Sequence, residues 1–501
     1  MSWLILSPVL LPLAGGVLAL LLGRANLSLE RMIGVAATML LLPAAAALFV
    51  MADQGQVIAY AVGDWPAPFG IVLVLDRLAA WMLLVTAVVG AGAMLFAIGR
   101  SDEEGRHFHP LFQFQLLGIN GAFLTGDLFN LFVFFEVLLI ASYALLSHGS
   151  RPERTMAAVR VAVLNLMGST LFLVAVGCLY AAAGTLNFAD LAQQAASLPA
   201  DRQGLWQAGA WLLLIVFALK AAVLPLGFWL PGSYGVADGA VAGLFSVLTK
   251  VGVVAIIRCC TLVFPDLGVG PALWWAALGT LVLAGTGMLA ARRMMMLAAQ
   301  AVIASIGVLM VAVSSFTPAS LAAATYYLAH GTLATAAFFL VAMRVGMVRG
   351  ETGDALAAGP AFRGRLALPA AFLFSAVAVA GLPPLGGFMA KLAILEAASQ
   401  APGAGWSFAA ILGASLLAIY ALARAGSTVF WKVGRTRGEV VEVPRWRPLA
   451  IAGVGLLLTA LVVLTLFAGD AFDGADRVAA QLLDRDGYIR AVLGARAGGE
   501  G

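Results

Sequence analysis

Five ionisable side chains lie inside apolar runs of this 501-residue chain: Glu136, Lys220, Lys250, His330 and Lys391. Glu136 stands in LFNLFVFFEVLLIASYALL (Leu128–Leu146), which is long enough to cross a bilayer and holds no basic residue. An acid at mid-bilayer costs about 2.5–3.5 kcal/mol on insertion scales, so one retained there is a functional candidate with a partner elsewhere. Three lysines qualify as partners, in FALKAAVLPLGFWLP, LFSVLTKVGVVAIIR and GLPPLGGFMAKLAIL. A carboxylate beside a lysine lets both stay ionised and their separation favours the neutral forms, so Glu136 with Lys220 can act as a switch. Lysine suits proton handling because a buried ammonium can give up its proton, whereas arginine keeps its charge. His330, in YYLAHGTLATAAFFL, is a candidate relay. The plainer alternatives are a static Glu136–Lys220 salt bridge, lysines that snorkel to headgroups, and a histidine satisfied by a neighbouring hydroxyl or carbonyl.

These residues need membrane helices to hold them. The chain is 62% hydrophobic and 11% charged with a mean hydropathy of +1.00, which marks a polytopic membrane protein rather than a soluble domain. Windows of about 20 apolar residues give fourteen spans. They lie near 3–23, 32–52, 71–98, 110–126, 129–147, 157–182, 208–230, 237–263, 271–290, 294–314, 318–344, 366–396, 406–430 and 448–468. The first span lacks a basic leader and reads as a retained helix rather than a cleaved signal. With the loops numbered between spans, the odd ones carry nineteen Lys and Arg, among them Arg24, Arg31, Arg100, Arg154, Arg293, Arg349, Arg365, Arg435, Arg437 and Arg445, and the even ones only Arg202. The positive-inside rule then puts the odd loops in the cytoplasm and both termini outside it, in a cell (inner or plasma) membrane.

Two spans are interrupted. Pro225 and Pro231 fall in the seventh, and Pro383, Pro384, Gly386 and Gly387 in the twelfth, so each is expected to open into two half-helices beside a lysine. Both breaks contain LPLG or PPLG followed by Phe, and both are fourth in a set of five spans. An odd number of spans per set forces inverted topology. The resulting layout is an N-terminal three-helix segment (1–105), two inverted five-helix repeats (106–265 and 266–432), and a last span with a polar tail (433–501). In that tail Val478, Leu482, Ile489 and Val492 recur at helical spacing, as in a short interfacial helix.

Other features read as structural. Asp76 and Arg77 sit at the mouth of the third span as anchors, Asp127 suits a helix cap, and Phe129, Phe132, Phe134 and Phe135 suit packing better than a quinone slot. The basic pI near 9.1 reflects arginines in short loops, which speaks against nucleic acid. Cys178, Cys259 and Cys260 lie in apolar runs without metal-ligand spacing, and no nucleophile elbow, phosphate loop or dinucleotide fingerprint occurs. The expectation is a non-enzyme with no cofactor and no metal.

Over about residues 70–430 the chain resembles the antiporter-like subunits shared by respiratory complex I, membrane-bound hydrogenases and multisubunit Mrp cation/proton antiporters. FVFFEVLLIASYALLSHG and WLPGSY (Trp229–Tyr234) make it most similar to the D-type subunits of the Mrp group. The resemblance implies that Glu136, Lys220, Lys250 and Lys391 line a mid-membrane proton route, and that the chain works beside sister membrane subunits. It departs from the pattern at Gly227, where relatives often have histidine, in GVADGAVAG, which lacks their prolines, and at Thr335, where many have lysine. The expected function is therefore proton translocation within a Na+/H+ or K+/H+ antiporter, with protons and monovalent cations as cargo. The alternatives are a proton-pumping subunit of a redox complex and a scaffold that carries no ions.

Overall fold

The structure is a computed structural model that describes residues 2–23, 26–359, 361–363, 366–432, 440–442 and 447–494. Arg24, Arg365, Arg435, Arg437 and Arg445 of the loop census lie outside the described residues. The N-terminal segment holds α1 (Ser7–Leu22), α2 (Leu27–Asp53) and α3 (Arg77–Ala97), with a small antiparallel hairpin of β1 (Ile58–Ala61) and β2 (Val72–Leu75) before α3. Next come α4 (Phe108–Leu124), α5 (Leu128–Ser147), α6 (Pro152–Ala183), the short α7 (Phe188–Ala195), α8 (Ala200–Lys220), α9 (Trp229–Tyr234), α10 (Gly239–Phe245) and α11 (Leu248–Arg258). The following stretch contains α12 (Gly270–Ala290), α13 (Met294–Val313), α14 (Pro318–Val348), α15 (Ala367–Ala380), α16 (Gly386–Ser399) and α17 (Ala404–Phe430). Last are α18 (Pro448–Leu466), α19 (Ala468–Leu483) and α20 (Arg485–Leu493).

Among the described residues twelve helical stretches are long and apolar enough to cross a membrane. The fourteen-span reading also counted α4, which has 17 residues, and the α15/α16 pair, of 14 residues each. Burial sorts the helices: 83–94% of the spanning window is enclosed in α3, α13, α14 and the 239–263 stretch, against 22–33% in α1, α2, α17 and α18. Lys250 and His330 thus lie on inner helices.

Polar contacts tie odd loops to odd loops. Arg31 pairs with Asp102 at 2.7 Å, Arg154 with Glu104 at 2.7 Å, Arg100 with Asp238 at 3.4 Å, and Arg424 donates to the Leu289 carbonyl at 2.7 Å. At the other end Arg477 meets Asp53 at 3.0 Å, Arg485 donates to the Leu262 carbonyl at 3.0 Å, and residues 73 and 125 form a bridge, as do 127 and 187. The even-loop face is less bare than the census suggests: Arg77 and Arg258 sit at helix ends there, and the tail adds Arg477 and Arg485. That tail folds back on the chain, with Val478, Leu482 and Val492 buried against it.

Candidate functional site

Both predicted interruptions occur. α8 stops at Lys220, and the Ala221 and Ala222 amides close its last turn onto Phe217 and Leu219. The chain then turns through a cis Leu224–Pro225 bond. Gly227 is packed so closely under the Ala222 carbonyl that a Cβ would collide with backbone, so this turn leaves no room for a side chain there. Pro231 does not break a helix. It is the third residue of α9, in the first turn, where a missing N–H costs nothing.

In the second interruption α15 ends at Ala380 and Gly381 takes φ +69, a left-handed value that favours glycine. Pro383–Pro384 is cis, and Gly386 and Gly387 open α16 rather than break the chain. Their role is close approach: a Cβ on Gly387 would lie 2.9 Å from His330 Cε1.

The site residues divide into two groups. In the first, Glu136 on α5 is half-buried and accepts a short hydrogen bond from the Ser169 hydroxyl on α6. Lys220 is buried and donates to Asn165 Oδ1, also on α6, at 3.1 Å, with its Nζ 5.9 Å from the Phe135 ring centroid. Among the described residues Glu136 and Lys220 form no ion pair within 4.0 Å, and α6 stands between them through Asn165 and Ser169, one helical turn apart. A cavity of about 30 Å³ adjoins Lys220, Asn165, Ser233 and Tyr234, room for a water or two.

In the second group, Lys391 on α16 reaches back across the break to the Ala380 carbonyl at 2.7 Å and to Ser415 Oγ on α17 at 2.9 Å. His330 on α14 places Nε2 3.1 Å from the Ala378 carbonyl. Both lysine and histidine therefore meet carbonyls at the C-terminal end of α15, the negative pole of a half-helix. A cavity of about 20 Å³ joins His330, Lys391, Ser305, Thr335 and Ser415. Thr335 donates to the Gly331 carbonyl at 2.7 Å, so its hydroxyl is engaged within α14.

Lys250 belongs to neither group. It is fully buried, and its Nζ has no hydrogen-bond partner among the described residues. No proline marks its position, yet the helix is interrupted just before it at Ser246–Val247, between α10 and α11. The Tyr234 hydroxyl, which lines the Lys220 cavity, donates to the Phe245 carbonyl at this break at 3.0 Å. On the even-loop face a funnel of about 1120 Å³ opens between α12, α14 and α16, lined by Glu396 and Asp476 and reaching Ala393, half a turn past Lys391.

Sequence reading missed Asn165, Ser169, Ser415 and Tyr234. Asn165 and Ser169 had a signal, two polar residues four apart inside the apolar body of α6. The Ala378 and Ala380 carbonyls had none, since only a chain break exposes a backbone acceptor.

Residues 125–419 match the family model described as NADH:quinone oxidoreductase/Mrp antiporter, TM. The chain is 39% identical to the D-type subunit of a probable K(+)/H(+) antiporter of Rhizobium meliloti, over 99% of each chain. It is 35% identical to the D-type subunit of a Na(+)/H(+) antiporter of Alkalihalophilus pseudofirmus, over 98% of this chain and 100% of that one. Its fold is similar to a chain in the Mrp complex from Dietzia sp. DQ12-45-1b, with a TM-score of 0.85, 28% identity, and coverage of 98% and 99%.

Proposed function

The chain belongs to the NADH:quinone oxidoreductase/Mrp antiporter family and groups there with the D-type subunits of Mrp antiporters, and we propose that it is the proton-conducting subunit of a multisubunit Na+/H+ or K+/H+ antiporter. The observation that carries this reading is that each broken helix brings one lysine to a cavity sized for water: Lys220 in the first set of spans, Lys391 in the second. Protons move from Lys220 through water and Tyr234 to Lys250, then to His330 and Lys391, and leave by the funnel that ends beside α16. Two inverted five-helix repeats arranged about the midplane account for the paired breaks.

Glu136 is the coupling end. Its half-buried carboxylate sits at the edge of a face whose neighbours Val133 and Ile140 are exposed, so a sister subunit is needed to cover it. Rotation of Ser169 and Asn165 would bring carboxylate and ammonium together or hold them apart, which sets where the next proton goes. The driving force suffices, because one charge crossing 100 mV is worth about 2.3 kcal/mol. In a cell membrane with its arginine-rich loops inside, both termini face outward. Glu136→Gln should abolish cation/proton exchange in everted vesicles that contain the whole assembly. Exchange at the wild-type rate, with normal amounts of complex, would refute the coupling role.

A further inference from the structure

At the even-loop end, α11 stops at Arg258, eight residues and about 12 Å beyond Lys250. Arg258 forms a short buried ion pair with Asp76, the residue that caps α3, whose other oxygen accepts the Ala79 amide at 2.8 Å. Tyr488 of α20 covers the pair, its ring centroid 5.5 Å from the guanidinium carbon, and its buried hydroxyl has no partner among the described residues. α20 is held in place by Arg485, which donates to the Leu262 carbonyl at 3.0 Å in the π-helical turn that follows Arg258. α19 seals the neighbouring inner helix: Phe472 stacks on Tyr326 at 4.1 Å and 3°, one turn from His330 on α14. The same α19 supplies Phe472 and Asp476 to the wall of the funnel beside α16.

The chemistry of this end is unlike that around the lysines. A guanidinium does not release its proton. Both oxygens of Asp76 are occupied by donors, and the tyrosine ring presents its face to the cation. Neither the guanidinium nor the carboxylate hands a proton on, and a fixed arginine is an electrostatic barrier to a cation moving toward it.

We propose that Arg258, paired with Asp76 and covered by Tyr488, is an electrostatic plug that closes the direct path from Lys250 to the even-loop face. Protons on Lys250 then have only the lateral route to His330 and Lys391, and the C-terminal strap both shuts one exit and borders the other. This inference rests on the proposed role of Lys250 in proton movement, but not on coupling through Glu136.

The test is passive proton flux in proteoliposomes of the complete assembly, under an imposed pH gradient without sodium or potassium. Arg258→Gln should raise this leak by about ten-fold, because it removes the barrier charge and leaves Asp76 free to take a proton. Adding Lys250→Met to Arg258→Gln should return the leak to the wild-type level. A wild-type leak in Arg258→Gln overturns the plug, and so does a leak that persists without Lys250, which would mark a nonspecific hole. Should Arg258→Gln fail to assemble because Asp76 is left unpaired, Arg258→Gln with Asp76→Asn removes both charges of the pair and is read in the same way. Failure of the coupling role would instead appear as normal exchange in Glu136→Gln, a result the leak assay does not depend on.

Discussion

The two sets of five spans solve one problem in different ways. Each must hold a lysine at a broken helix inside the membrane. In the first set Lys220 precedes the break and is held by a side chain, Asn165, while Ser169, one turn along α6, holds Glu136. In the second set Lys391 follows the break and is held by the Ala380 carbonyl and Ser415, with His330 on Ala378. Side-chain amides and hydroxyls can turn about their own bonds, whereas carbonyls at a helix end are fixed dipoles. The first arrangement therefore suits switching and the second suits a steady acceptor. The long third helix of each set supplies the polar group that faces its break: Asn165 on α6 and His330 on α14, thirteen and twelve residues after the prolines that open those helices.

The largest expected effect removes the cations themselves. If the proposed proton route holds, Lys220→Met and Lys391→Met should each leave less than about a tenth of wild-type exchange, since loss of a proton carrier raises the barrier by about 1.4 kcal/mol or more. Should one of the two retain exchange, the sets are not in series and the comparison fails.

A smaller and more discriminating pair alters the partners. Asn165→Leu strips Lys220 of its hydrogen-bond partner and leaves a buried ammonium unpaired, at about 1–3 kcal/mol. Ser415→Ala leaves Lys391 on the Ala380 carbonyl and should cost less than about 1 kcal/mol. Thermal midpoints of the solubilised assembly should order wild type, Ser415→Ala, Asn165→Leu, with exchange rates following. Equal losses would mean that the fixed carbonyl is not what holds the second lysine.

Much of this was legible in the sequence because lone charges in apolar runs and prolines in helical runs are rare and costly. The lysines, Glu136 and both interrupted spans followed from that. What stayed hidden depended on three-dimensional proximity. Nothing in the local sequence tells that Asn165 meets Lys220 across 55 positions, or that the Ala380 carbonyl becomes an acceptor. The interruption at Ser246–Val247 carries no proline and is revealed only by where the helix hydrogen bonds stop. Pro231 misled in the other direction, because proline breaks a helix only beyond its first turn.

Glycines give a third comparison. Gly387→Ala would push a methyl against the His330 ring, 2.9 Å from Cε1, and lift the imidazole from Ala378. Gly168→Ala, beside the first lysine, would meet Leu219 Cδ2 at 2.7 Å but stay 3.8 Å from Lys220 Nζ, and a leucine tip can rotate away. Gly387→Ala should cost about 1–3 kcal/mol as overpacking and cut exchange accordingly, and Gly168→Ala well under that. The reverse order would place the tighter constraint in the first set.

The smallest effect concerns the odd-loop face, where the sets again differ. Near the first set the arginines meet carboxylates: Arg31 with Asp102, and Arg100 and Arg154 with Asp238 and Glu104. Near the second, Arg293 also meets a carboxylate, Asp354 at 2.9 Å, but with its own side chain exposed, while Arg424 meets the carbonyls of Leu289 and Ala291, which do not titrate. Burial opposes ionisation of Asp102, yet hydrogen bonds from His109 and Arg31 outweigh it and hold the carboxyl below its usual range. A depressed folded value contributes stability that is fully present above the unfolded value of about 3.9 and is lost as pH falls through the lower folded value. Thermal midpoints of the solubilised wild type should therefore fall on the acid side of that value, and Asp102→Asn should start lower at pH 7 and lose less on acidification. Arg424→Gln, whose partners are carbonyls, should lower the midpoint by the same amount at every pH. Parallel curves for Asp102→Asn and wild type would remove the titrating contact from the N-terminal segment beside the first set, and with it this part of the contrast.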